Sequence, residues 1–353
     1  MNSRAKKRDQ IVAIDLGGRT TKAVHLQRRG ETFHLLNYVL VDAPTAEKGL
    51  SSEALAEYLK GVNRSLGCGK GKPVTLSIGV TDTLFRQVEV PLMPVADVRL
   101  MLKYNSKNYL QQDLPDHIFD CCFVVSNRLN KPAEGAKSSG GAPKQKAVIG
   151  GVKKQILDDL QTSLKSAGLL ADQVVPGIIG PINAFEWAEP EIFSKEVIAL
   201  VDVGFKSSTI TILDCGEIIL NRVVNVGGDQ LTKGLAEALG ILYPEAETMK
   251  LEAASEVQPH LDHFIQPLGR ELRASIDFFE NQRDKTVPHV FISGGSARNE
   301  FILQTLQAQL MVPCKGWNPA KAFQLNLPPE KMGEAEQVMP QLTVAIGAAA
   351  SGF

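Results

Sequence analysis

At 353 residues the chain is long enough for two domains, and folding at this length removes about 75% of the unfolded surface from water. Its 44% hydrophobic and 22% charged residues and its net charge of −1 are those of an ordinary soluble protein. There is no basic excess for nucleic acid, and no apolar run approaches the ~20 residues of a membrane span. The five cysteines (Cys68, Cys121, Cys122, Cys215 and Cys314) are odd in number and lack ligand spacing, so they read as reduced cytoplasmic thiols. No signal peptide is expected, because Ile11–Leu16 is short and runs into glycine and charge.

The first ten residues, with Arg4, Lys6, Lys7 and Arg8, read as a frayed basic tail. Ile11–Val24, IVAIDLGGRTTKAV, predicts two strands joined by a tight glycine turn. Phe33–Val41 alternates as a third strand. Ser52–Ser65 is an amphipathic helix with Ser52 as its N-cap, and Lys72–Val80 alternates again as a strand. From Arg86 the character changes. A strand at Phe85–Val90 ends near Pro91 and Pro94, and a helix follows at Val95–Leu110. A strand is expected at Ile118–Ser126 and an exposed loop at Asn130–Gln145. A strand at Ala147–Val152 pairs with Phe119–Val125, and a helix at Lys153–Ala167 stops at Gly168. This is a strand–helix–strand–strand–helix module.

Val174–Glu189 crosses back, with a helix at Ile182–Trp187. Val197–Leu213, VIALVDVGFKSSTITIL, predicts a second strand–turn–strand, and Glu217–Val224 a further strand. Helices are expected at Asp229–Leu239, Pro244–Ala254, Pro259–Gln282 and Asn299–Leu310, a strand at Val290–Ile292, and a small-residue helix at Gln341–Ala350 packed on a neighbour.

The two hairpins repeat one device nearly half the chain apart. Asp15, Gly17, Gly18 and then Arg19, Thr20, Thr21 and Lys22 are matched by Asp202, Gly204 and then Lys206, Ser207, Ser208 and Thr209. Bare glycine N–H groups and hydroxyls suit phosphate oxygens, and a carboxylate suits a hydrated Mg²⁺. Alone, either hairpin is as readily a simple turn. Together they describe a duplicated domain that clamps a phosphate chain and its metal from both sides.

The order DLGGRTTK, DVGFKSST, NVGGDQLTKGLA, AETMK and ISGGSARNEF resembles the actin-like ATPase superfamily, and within it the FtsA and PilM branch, over essentially the whole chain. Val90–Asp120 is similar to the corresponding stretch of PilM-type pilus assembly proteins. The resemblance implies an α/β, actin-like fold: two ribonuclease-H-like halves around a nucleotide cleft, with an inserted small α+β docking subdomain. The expected organisation is a basic tail at 1–10, the first half at 11–85, the inserted subdomain at 86–170, a return to the first half at 171–196, the second half at 197–340 and a C-terminal helix at 341–353.

On this reading ATP or ADP with Mg²⁺ is the ligand. Asp15 and Asp202 are the metal-binding and water-orienting carboxylates. Gly17, Gly18, Gly204, Gly227 and Gly228 cradle phosphates, and Thr20, Thr21, Ser207, Ser208 and Thr209 add hydroxyls. Lys22 is equally readable as a phosphate ligand or a surface lysine. Gly294, Gly295 and Ser296 form an adenine slot, and Arg298 is either a base contact or a surface charge. Glu247 and Lys250 share a helix face and by themselves read as an exposed ion pair; the resemblance assigns them to ribose and adenine.

Hydrolytic relatives carry an acid in the first crossing segment to activate water, whereas PGIIGPINAF here has none until Glu186. Slow or absent turnover is therefore expected, with ATP as an ordering ligand. The sequence stops at SGF after Ala350, without the amphipathic membrane helix of FtsA.

The resemblance implies a cytoplasmic adaptor of a type IV pilus or type II secretion-related machine, with possible self-association. It would be peripheral to the inner membrane through the cytoplasmic N-terminal peptide of a single-span, PilN-like partner. The peptide groove is expected to be bordered by Val95–Leu110 and Phe85–Val90, with Leu92, Met93 and Met101 as anchors; for Met101 the module's own core is an equal alternative. An FtsA-like division scaffold and a sugar- or acetate-kinase-like phosphotransferase are the competing readings.

Overall fold

The computed structural model describes residues 9–44, 50–69, 71–124, 143–252 and 254–353, with the side chains of 252, 254, 255 and 298 left aside. The basic tail through Arg8, most of the loop expected at Asn130–Gln145, the end of the strand expected to reach Ser126 and the Arg298 side chain lie outside what is described.

In chain order, β1 (Gln10–Leu16), β2 (Thr20–Arg29) and β3 (Thr32–Asp42) form an antiparallel meander. Helix α1 (Ser52–Ser65) and β4 (Pro73–Ile78) follow. Then come β5 (Thr83–Pro91), α2 (Val95–Leu110), β6 (His117–Phe123), β7 (Lys144–Lys153) and α3 (Lys154–Ser166). The chain continues with β8 (Leu170–Pro176), α4 (Ile179–Ala188) and α5 (Pro190–Lys195), then the meander β9 (Val197–Val203), β10 (Ser208–Asp214) and β11 (Glu217–Val224). Helices α6 (Gly228–Leu239), α7 (Tyr243–Glu252) and α8 (Ala254–Arg283) lead to β12 (Val290–Ser293) and α9 (Glu300–Leu310). Strands β13 (Cys314–Gly316) and β14 (Phe323–Leu325) and helices α10 (Pro329–Met332), α11 (Ala335–Val338) and α12 (Thr343–Ala350) complete it.

The chain divides into two compact units, Met1–Gly79 with Thr162–Phe353, and Val80–Gln161. The larger unit holds two sheets, ordered β14-β3-β2-β1-β4-β8 and β11-β10-β9-β12-β13. Setting β14 aside, the orders are the same: a meander, then a parallel strand beside its first member, then a second parallel strand. The duplication read from the two hairpins is therefore a duplication of whole sheets.

β9 shows why these strands are apolar throughout. Ile198 and Leu200 join one core with α4, α12 and β1, while Ala199, Val201 and Val203 join another with α6, α8 and α9. Both faces of the strand are covered, so the sequence runs hydrophobic instead of alternating. Helix α8 buries Leu261, Ile265, Leu268, Leu272, Ile276 and Phe279, a spacing of three and four that lays one stripe on the second sheet. Helices α4 and α12 cross at glycine: a Cβ on Gly180 would stand 2.7 Å from the Val344 Cα, and one on Gly347 would overlap the Gly180 carbonyl.

The smaller unit is the sheet β5-β7-β6, antiparallel throughout, with α2 packed on it. Its core is Val90, Val98, Leu102, Leu110, Phe119, Ala147 and Ile149, and Met93 and Met101 pack partly buried against that core, while Leu92 is exposed. One expectation needs correcting. The α1 cap is Ser51, whose hydroxyl accepts from the Ala54 amide, because Ser52 is already helical. Helix α2 is broken at Asn105 (φ −136°, ψ 33°), beside Ser106, whose hydroxyl accepts from the Leu114 amide.

Candidate functional site

The register of each hairpin sets what stands beside its aspartate. Asp15 lies opposite Lys22 across the β1–β2 ladder and opposite Ser77 across the parallel β1–β4 ladder. Asp202 lies opposite Thr209 and Ser293 in the same two relations. Lys22 Nζ donates to Asp15 Oδ2 at 3.2 Å, and Ser293 Oγ donates to Asp202 Oδ1 at 2.9 Å. Burial pushes the Asp202 carboxyl upward, and the negative charge of Asp15 adds to that, while Ser293 and the Lys22 charge pull it back. The two aspartates and Lys22 thus share one electrostatic environment.

The turns depend on glycine for space. A Cβ on Gly17 would stand 2.5 Å from Lys22 Nζ, and one on Gly204 would stand 2.7 Å from the Ser207 carbonyl. Gly18 faces the second hairpin, with Phe205 and Lys206 as its neighbours. Gly227 also leaves no room for a side chain: the Gly204 carbonyl would be 2.8 Å away. Gly294, at φ +97°, abuts the Val203 backbone, while Gly295 has open space around it.

Several predicted donors are already committed. The Gly204 amide donates to Ser207 O at 3.1 Å, and the Gly228 amide donates to Gly204 O at 2.9 Å. Ser208 is fully buried and donates to Val226 O at 2.6 Å. The first closes the second turn, and the other two tie it to the start of α6. Thr21 and Thr209 are buried, and Thr20, Ser207 and Ser296 are partly open, Ser296 within reach of Gly228.

Glu247 and Lys250 are not the exposed ion pair that their spacing suggests. Lys250 is buried; its ammonium donates to Glu247 Oε2 at 2.7 Å, Thr232 Oγ1 at 2.7 Å and Gly228 O at 3.2 Å. Thr232 also donates to Glu247, and Arg19 from the first hairpin reaches Glu247 Oε1 at 2.7 Å, its guanidinium 5.7 Å from the Phe205 ring centroid. Burial alone would raise Glu247, but the Lys250 and Thr232 hydrogen bonds and the Lys250 and Arg19 charges overcome it and hold the carboxyl below its usual range. Burial pushes Lys250 down against the opposing pull of Glu247. The network joins the first hairpin, the second turn and α7.

Sequence reasoning passed over Ser77, Ser293, Thr232, Arg19 as an acid partner, and Phe205. The two serines carried a signal: each lies on the strand that pairs parallel with an aspartate-bearing strand. Only the register reveals it.

The residues fit a nucleotide and its metal. Glycines at 17, 204, 227 and 294 occupy places that a Cβ would fill, the Ser77 hydroxyl is buried without a partner among the described residues, and two carboxylates stand in matched hairpins. No cluster of three or more metal-ligating side chains occurs among the described residues, and Mg²⁺ at a phosphate site needs only one or two carboxylates, its other ligands being phosphate and water. Asp15 and Asp202 would hold the ion, and Lys22 and the turns the phosphates; bound there, the ion would neutralise phosphate charge.

The family model described as type IV pilus assembly protein PilM matches residues 182–353. Among solved structures, the chain is similar to one described as a PilM-PilN type IV pilus biogenesis complex, at 18% identity and TM-score 0.79 over 98% of this chain and 99% of that one. It is also similar to ethanolamine utilization protein EutJ from Carboxydothermus hydrogenoformans, at 15% identity and TM-score 0.56 over 98% and 91% of the two chains. MreB 5 of Spiroplasma citri, bound to AMPPNP, matches at 12% identity and TM-score 0.51 over 97% and 95%. The fold is the actin-like one of these proteins, and the part of the chain from Ile182 to Phe353 matches the PilM family model.

Proposed function

We propose that the chain is an ATP- or ADP-binding, actin-like adaptor of a type IV pilus assembly machine that docks the cytoplasmic N-terminal segment of a PilN-like membrane protein. The observation that carries the reading is the pair of equivalent aspartate hairpins on duplicated sheets, within a chain whose residues 182–353 match the PilM family model. The nucleotide is held with Mg²⁺ by Asp15 and Asp202, with Gly17, Gly18, Thr20, Thr21 and Lys22 from one hairpin and Ser207 and Thr209 from the other, where Gly204, its amide spent on Ser207 O, leaves room for the phosphates. Glu247 and Lys250 line the ribose side, and Gly294, Gly295 and Ser296 the adenine side. Ser208, Gly227 and Gly228 shape the second turn.

Residues 86–170 act as the docking subdomain, carrying exposed Leu92, Leu100 and Tyr104, while 11–85, 171–196 and 341–353 form the first half and 197–340 the second. No helix among the described residues is long and apolar enough to cross a membrane, and membrane association runs through the partner. Turnover is slow, and the nucleotide orders the cleft. The test is thermal melting with Mg-ATP or Mg-ADP: the parent should shift upward, and Asp202→Ala and Gly295→Trp should not. A full shift in both variants removes the site assignment.

A further inference from the structure

Each hairpin aspartate has a serine beside it on the parallel neighbouring strand, and only one of the two serines is in use. Ser293 donates to Asp202. Ser77 stands at the equivalent place beside Asp15, fully buried, and its Oγ has no hydrogen-bond partner among the described residues. Asp15 is held by Lys22 instead. A buried hydroxyl without a partner is a standing free-energy cost, and native interiors rarely keep one. Lys22 is placed to let go, since its side chain is partly exposed and lies against the bare Cα of Gly17 at the turn. Thr75, the other unpartnered hydroxyl on β4, lies opposite Ala13 and has no carboxylate to receive it.

We propose, resting on the nucleotide reading above, that Ser77 is the second holder of Asp15: when a nucleotide with Mg²⁺ binds, Lys22 turns to phosphate oxygens and Ser77 Oγ–H donates to the carboxylate that Lys22 releases. The two halves then present their aspartates alike, each steadied by a serine from the parallel strand. Ser77 is a positioning residue. It acts only through Asp15.

The test uses the full chain with Ser77→Ala, Ser77→Cys and Ser293→Ala. Melting is measured without ligand, and the affinity for a fluorescent ATP analogue is measured in Mg²⁺ and again in EDTA. Ser77→Ala should leave the ligand-free melting temperature unchanged or raised, because it removes an unpaired group. It should weaken binding in Mg²⁺ about tenfold, the scale of one hydrogen bond to a charged group, and leave binding in EDTA within about twofold. Ser77→Cys, a weaker donor of similar size, should fall between, and Ser293→Ala should lower the ligand-free melting temperature. Parent-like binding of Ser77→Ala in Mg²⁺ overturns the proposal, as does an equal loss in EDTA or a lowered ligand-free melting temperature. If the parent itself binds no nucleotide, the site assignment fails first and this role with it.

Discussion

Gly294 and Gly295 are neighbours with opposite demands. Gly294 combines a φ of +97° with a Val203 backbone that a Cβ would press at 2.8 Å, whereas Gly295 faces open space. Gly294→Ala is expected to cost about 2–3 kcal/mol in urea unfolding and Gly295→Ala less than about 0.5 kcal/mol; equal costs would contradict the assignment of strain to Gly294. Asp202 gives a pH prediction. Burial makes the folded chain keep this proton to higher pH than the unfolded chain does. Between the two pKa values the native state binds more protons, so stability falls as pH rises through that window, and the cost stands in full above it. Asp202→Asn should therefore melt above the parent at pH 7 without ligand, with the gap closing as pH falls toward about 4. A gap that is constant or widens on acidification would contradict this. The aspartates, glycines and hydroxyls of both hairpins were legible as a repeated order of residue types. What each group bonds to was not, because Ser208, Gly204 and Gly228 spend their donors on carbonyls brought near by register and by the start of α6.

At the scale of elements, the α4–α12 crossing depends on two glycines whose backbones touch. Gly347→Leu would wedge α12 away from α4 and from the first sheet. A loss of about 3 kcal/mol, or roughly 6–12 °C in melting temperature, is expected; a shift under about 2 °C would show that the helices separate freely. On α7, Lys250→Met should lower stability by about 3 kcal/mol, since it leaves the partly buried Glu247 with only Arg19 and Thr232. Chemical unfolding would read this, and a neutral result would mean that the network carries no net stabilisation. The long periodic elements were readable because their apolar spacing is set by one packing surface: α8 through Leu261, Ile265 and Leu268, and α1 through Leu59 and Val62. Strand β8 read as a plain crossing because most of its residues stay partly open and Pro176 and Gly177 punctuate it. The short β13, β14, α5, α10 and α11 have too few residues to show any period.

At the scale of the molecule, two sheets of one strand order, each opening with an aspartate hairpin, account for the sequence repeat and for the shared environment of Asp15, Lys22 and Asp202. A ligand that engages both hairpins stabilises the folded state by about 2.7 kcal/mol at a hundredfold excess over Kd, a shift that melting resolves easily. The same architecture is found in proteins of different roles, so the proposed nucleotide site by itself does not select a pilus adaptor. The match of residues 182–353 to the PilM family model is what supports that proposal, and the separate three-stranded unit at Val80–Gln161 is where it places the partner. Met93 and Met101 are drawn into that unit's own core, which leaves Leu92, Leu100 and Tyr104 as its exposed apolar side chains on and beside α2. The most direct measurement is calorimetric titration of the intact chain, with Mg-ATP present, by the cytoplasmic N-terminal peptide of a PilN-like protein, alongside flotation with lipid vesicles. Saturable binding at micromolar Kd, roughly −8 kcal/mol, with no recruitment by vesicles alone is the expected result. Recruitment by bare vesicles with no heat of peptide binding would contradict the adaptor function.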